Sequence, residues 1–79
     1  MNAVDIGKYL AELRKFYKVT QEELAEKVGI SASFLGHIER GTRVASIDTL
    51  AALCNVLQVS PGYLMESAFI NQVLTLPHS

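Results

Sequence analysis

Apolar residues recur along the chain at the three-, four- and seven-residue spacings of an α-helix, and no stretch alternates apolar with polar as a half-buried strand would. Ile6, Leu10, Leu13 and Tyr17 repeat in this way and predict an inward face on a first helix from about Ala3 to Tyr17, with Asn2 or Asp5 as its cap. Lys8, Glu12 and Lys15 fall off that stripe and form a solvated surface. A second pattern marks where helices begin. Val19-Thr20 then Leu24, Ile30-Ser31 then Leu35, Ala45-Ser46 then Leu50, and Val59-Ser60 then Leu64 share one spacing of apolar residue, hydroxyl and leucine. The hydroxyl accepts from a free N–H of the first turn, while the apolar pair staples the entering chain to the helix. Pro61 takes a first helical position, where its missing N–H costs nothing. A helix over about Ile47 to Leu57 turns Leu50, Leu53 and Leu57 inward, and a last one starts at Pro61 and carries Leu64 into the core. The predicted architecture is an all-α bundle of five helices.

The stretch from Thr20 to Gly41, TQEELAEKVGISASFLGHIERG, holds the densest set of signals. Thr20 with Glu23 forms a capping box, Gly29 supplies the φ > 0 residue that ends one helix, Ser31 opens the next, and Gly41 stops it. Leu24, Ala25, Val28, Ile30, Leu35 and Ile38 then point into one shared corner, and Ala25 is small where the second helix must cross. This is a helix-turn-helix over about residues 21–40, a unit that presents its second helix outward.

The same residues resemble the signature of the lambda-repressor-like, Cro-type (XRE) family of bacterial and phage DNA-binding regulators. The matching pieces are TQEELAEKVGIS, Phe34-Leu35 and the IERG of 38–41, extended by Ile6, Gly7, Leu10, Leu13 and Arg14 before them and by Ser46, Leu50 and AALCNVLQVSPGYL after. The resemblance covers roughly residues 5–66, and the joint occurrence of QEELA, the turn glycine and ERG makes it specific. It implies that Ser31, Ala32, Ser33, Gly36 and His37 meet base edges in the major groove, and that Gln21, Arg40, Thr42 and Arg43 lie against phosphates. Ala32 would touch a thymine methyl, and His37 is the candidate for a base-specific hydrogen bond, to a guanine or a nearby phosphate. The resemblance also implies an internal ion pair between Arg14 and Glu39, and it places Phe34 in the core or at a hinge. Two departures stand out: Ala45 replaces the proline common in the loop GTRVAS, and positions 32 and 37 lack the longer polar or basic residues frequent there.

Composition narrows the possibilities. Seventy-nine residues, 49% of them hydrophobic, allow one domain with a modest core, and no apolar run reaches the roughly 18 residues of a membrane span. The opening MNAVDIGKYL lacks the design of a secretory signal, and the single Cys54 reads as a small core residue, so a cytoplasmic location is expected, and the family resemblance implies a bacterial or phage setting. The net charge of −1 is low for a nucleic-acid binder, but all seven Lys and Arg lie at or before Arg43, which leaves one end of the chain to face phosphate. No carboxylate pair, metal set or glycine-rich phosphate loop appears; His37 and His78 stand apart, and Glu22, Glu23 and Glu26 lie on a solvated face. Neither a cofactor nor catalysis is expected.

Residues 1–66 are expected to form the DNA-binding domain and 67–79 an apolar tail without a charge after Glu66. Met65, Phe69 and Val73, with Ile70 beside them, fall on one stripe of an extended helix five and would pair with a second copy, because such patches rarely stay exposed on monomers. The expected function is sequence-specific binding of double-stranded DNA by a small regulator, a repressor before an activator, acting as a homodimer on a palindromic operator. No effector domain, small-molecule ligand or membrane partner is indicated. The alternative is a protein–protein interaction module on the same fold, an antitoxin-like or anti-repressor partner.

Overall fold

The computed structural model describes residues 2–60. Within them lie four α-helices, α1 (Ala3–Phe16), α2 (Gln21–Val28), α3 (Ala32–Arg40) and α4 (Ile47–Val56). The fifth helix from Pro61, the stripe of Met65, Phe69, Ile70 and Val73, and the boundary at 66–67 lie outside the described residues.

Each helix starts on a side-chain oxygen. Asn2 accepts from the N–H of Asp5, Thr20 from Glu23, Ser31 from Phe34 and Ser46 from Thr49. At α2 the box is closed, since the Glu23 carboxylate accepts from the Thr20 N–H at 3.0 Å. These bonds satisfy donors that a helix leaves open at its start, and each such cap is worth about 1 kcal/mol. Glycine ends α2 and α3 in the left-handed region, Gly29 at φ 76° and Gly41 at φ 75°. Lys18 and Gln58 take the same conformation at φ 58° after α1 and α4, where a side chain pays a steric cost that glycine would avoid.

Leu10, Leu24, Leu35, Leu53, Leu57 and Cys54 are fully buried, with Ala25, Ile38 and Leu50 closing the core around them. Burying one such leucine contributes about 1.5–3 kcal/mol, so this cluster carries the fold. Val19, Val28, Ile30, Phe34, Val56 and Val59 pack against its rim. α3 packs on both α1 and α2, and α2 also meets α4. The crossing of α1 and α3 is tight at Gly7: a Cβ there would collide with the carbonyl oxygen of Ile38 and come within 2.7 Å of that of Glu39.

The predicted inner stripe of α1 needs one correction. Tyr17 lies beyond the last turn, 40% exposed, and stacks edge-on with Phe16 instead of entering the core. The helix ends at Phe16 because Lys18 turns left-handed, and that turn carries Val19 inward in place of the tyrosine.

Candidate nucleic-acid interface

The inner face of α3 is pinned at several points. Leu35 and Ile38 are buried between α1 and α2, and at the C-terminal end Glu39 receives Arg14 of α1, whose Nε lies 2.6 Å from Oε2 and whose Nη2 lies 3.1 Å from Oε1. The third guanidinium nitrogen donates to the Val19 carbonyl at 3.0 Å, which ties the same arginine to the link before α2. Gln21 completes the network, its amide donating to Glu39 Oε1 at 2.9 Å. One carboxylate thus holds α1, α2 and α3 in register, and no buried side-chain nitrogen or oxygen among the described residues is left without a partner.

With that face fixed, the opposite stripe looks outward. Ser33, Gly36, His37 and Arg40 fall three and four residues apart and so share one side of α3. Ser33 and Arg40 are exposed, and His37 is half-buried with Nδ1 2.9 Å from the Thr42 hydroxyl. Ser31 is exposed too, although its oxygen serves as the cap. The first turn of α3 carries no acidic side chain, so its open N–H groups meet no local negative charge.

Three of the expected contacts sit differently from the sequence reading. Gly36 is buried, because Arg40 folds back along the helix and sets Nη1 3.1 Å from where a Cβ would be; the surface at that position is therefore guanidinium. Ala32 is half-buried against the core and offers only part of its methyl outward. Gln21 commits one amide hydrogen to Glu39 and keeps one for an outside acceptor. Thr42 and Arg43 are exposed in the turn after α3, and the exposed apolar residues Val44 and Ile47 follow at once. Phe34 packs half-buried on the rim of the core.

The sequence offered a hint of one feature it did not assign. A glycine inside a helical pattern, as at Gly7, signals a close backbone approach, and here that approach sets how near α3 lies to α1. Nothing in the spacing of residues could have shown the Gln21–Glu39 or His37–Thr42 bonds, which depend on rotamers in the assembled bundle.

Comparison with known proteins extends this geometry. The family description "Helix-turn-helix" matches residues 10–64. Two Bacillus subtilis proteins are similar: the uncharacterized HTH-type transcriptional regulator YobD is 39% identical over 71% of this chain and 50% of its own length, and the HTH-type transcriptional regulator ImmR is 40% identical over 78% and 49%. The chain thus spans about half the length of these relatives. Among solved structures, the P22 c2 repressor in complex with a synthetic operator superposes with a TM-score of 0.70 at 34% identity, over 75% of this chain and 89% of that one. By its caps, its glycine turn, its ERG motif and these matches, the chain belongs to the helix-turn-helix family, in its lambda-repressor-like (XRE) branch.

Proposed function

We propose that this chain binds double-stranded DNA in a sequence-specific manner and regulates transcription, with α3 lying in the major groove. The observation that carries the reading is the division of α3: one face is locked by Leu35, Ile38 and the Arg14–Glu39 pair, and the other presents Ser33, His37 and Arg40 to the outside. A short helix held rigid on one side and polar on the other suits a groove wide enough for a helix and lined with hydrogen-bonding edges. The likeness to a repressor solved on its operator supports the same pose. Ser31, Ala32, Ser33 and His37 face the bases in this reading, and Gln21, Arg40 and Arg43 lie along the phosphates. In this reading the chain acts on DNA by binding, and its polar α3 face needs no catalytic group to do so.

Repression follows if the bound chain occludes a site that another protein must use. Two copies related by a two-fold axis would place their α3 helices about 34 Å apart, one turn of DNA, through the apolar stripe of Met65, Phe69, Ile70 and Val73. Residues 1–66 would then form the binding domain and 67–79 its dimerisation extension, in a protein of the bacterial cytoplasm.

Selection of bound duplexes from a random pool, followed by binding at several salt concentrations, tests the proposal. Affinity should fall steeply with salt, since phosphate contacts release counterions, and Arg43→Ala should weaken all duplexes alike and flatten the slope by about one. A chain that enriches no sequence and shows no salt dependence would instead be a protein-binding module on this fold.

A further inference from the structure

All four helices end on the same backbone bond, and one of the four ends breaks the pattern. The N–H of Val19 bonds the Arg14 carbonyl at 3.1 Å, and those of Ile30, Thr42 and Val59 bond Ala25, His37 and Cys54 at 3.0 Å. The residue that closes such a helix end ordinarily adds an apolar contact. Val19, Ile30 and Val59 do so against the core. Thr42 has the shape of valine with a hydroxyl for one methyl, and it is exposed. Its oxygen lies 2.9 Å from Nδ1 of His37 and 3.2 Å from the His37 carbonyl.

A threonine hydroxyl has one proton to give, and the surroundings decide where it goes. The His37 carbonyl already accepts from the N–H groups of Gly41, Thr42 and Arg43, so the two lone pairs of that oxygen are occupied. Nδ1 is nearer, and a neutral imidazole keeps one nitrogen bare. A hydroxyl proton directed at Nδ1, not at the carbonyl 3.2 Å away, would leave the ring proton on Nε2, a donor with no acceptor among the described residues.

We propose that Thr42 is a positioning residue for base readout: it holds His37 in the Nε2–H form and fixes the plane of the ring, so that His37 offers a donor to guanine O6 or N7. The inference rests on the DNA-binding reading above and gives Thr42 a role in place of a phosphate contact. An imidazole free to turn and to exchange tautomers offers a donor or an acceptor and discriminates weakly. With the proton fixed, the ring accepts a guanine edge and rejects the amino group of cytosine or adenine at the same place.

Two measurements on the full chain test this. Nitrogen-15 NMR of the neutral ring, with His78→Gln removing the other imidazole, should show the proton on Nε2 and a hydrogen-bonded Nδ1 that moves to its free position in Thr42→Val. A proton on Nδ1, or a spectrum indifferent to Thr42→Val, overturns the proposal whether or not the chain binds DNA. In duplex selection, His37→Ala should relax one base position, Thr42→Val should relax the same position by about three- to tenfold with the salt slope unchanged, and Thr42→Ser should restore it. Uniform weakening across all duplexes would make Thr42 a phosphate contact, and an unchanged preference would make it a bystander; either result sinks the idea. A wild-type chain that selects no duplex defeats the DNA-binding reading and the readout with it, while the NMR result still judges the tautomer. Thr42→Val is a fair probe, because it installs the residue type that already closes α1 and α4.

Discussion

Arg14 of α1 and Glu39 of α3 form a bidentate ion pair, and their side chains are only 11% and 6% exposed. Water therefore screens the pair little, and its partners must be supplied by the protein. Val19 and Gln21 do so, which is why the network spans three helices. Glu39→Gln keeps the shape and removes the charge, leaving a guanidinium sheltered and unpaired. It should lower the unfolding free energy by about 3–5 kcal/mol, a large part of the ~5–15 kcal/mol that holds an ordinary domain. Urea titration of the single variants and of Arg14→Met with Glu39→Leu measures this. A single-variant loss under about 1 kcal/mol would place the pair with weak surface bridges.

Gly7 and Gly36 both lie inside helices, and alanine should act on them with opposite signs. At Gly7 the new methyl meets backbone, the carbonyls of Ile38 and Glu39, and the two helices must move apart. A loss of several kcal/mol is expected, as for overpacking in a rigid core. At Gly36 it meets the far end of the Arg40 side chain at 3.1 Å, which can swing away. Gly36→Ala should be neutral or stabilising by up to about 1 kcal/mol, the gain in helix propensity. Thermal melts of the two variants decide the matter, and equal losses at both sites would contradict the packing.

The capping box of α2 should be visible in acid. Hydrogen bonds from the Thr20 backbone N–H and then from its hydroxyl lower the Glu23 pKa, with Lys27 adding a little. A depressed carboxylate pKa stabilises the fold above the ordinary glutamate range, and that contribution is lost as pH falls through the folded value. Thr20→Ala should cost about 1 kcal/mol near neutrality and flatten the acid limb of stability against pH. An acid limb identical in Thr20→Ala and wild type would show that the box does not hold in solution.

Cys54 is the thiol at the centre of the core, fully buried, and burial raises its pKa. Both effects suppress the thiolate, the reactive form. Alkylation of the native chain should be slow and should accelerate in step with unfolding as denaturant is added. Because the folded pKa is raised, the unfolded state gains by ionising at alkaline pH, and stability should decline there; Cys54→Ala should lose that decline. Rapid labelling of the native chain would place the thiol at the surface.

Much of this architecture can be read from local chemistry. Thr20, Ser31 and Ser46 cap because a hydroxyl and a free N–H three residues on need nothing beyond their own turn, and Gly29 and Gly41 stop their helices because only glycine enters φ > 0 without strain. Leu10, Leu24, Leu35 and Leu53 are core because helical period alone puts them on one side. Tyr17 lay on the same period and went elsewhere, since period carries no information about where a helix stops.

The sequence by itself determined where helices start, which faces turn inward, and that a serine-led segment follows a glycine turn, for each of these depends on neighbours a few residues apart. Tertiary structure alone decided what occupies the outer face of α3. Arg40 covers Gly36, Thr42 holds His37, and Gln21 shares Glu39 with Arg14. These are choices among rotamers and hydrogen-bond partners. They arise only when helices distant in sequence have come together, because an acceptor must be in place before a donor can choose it.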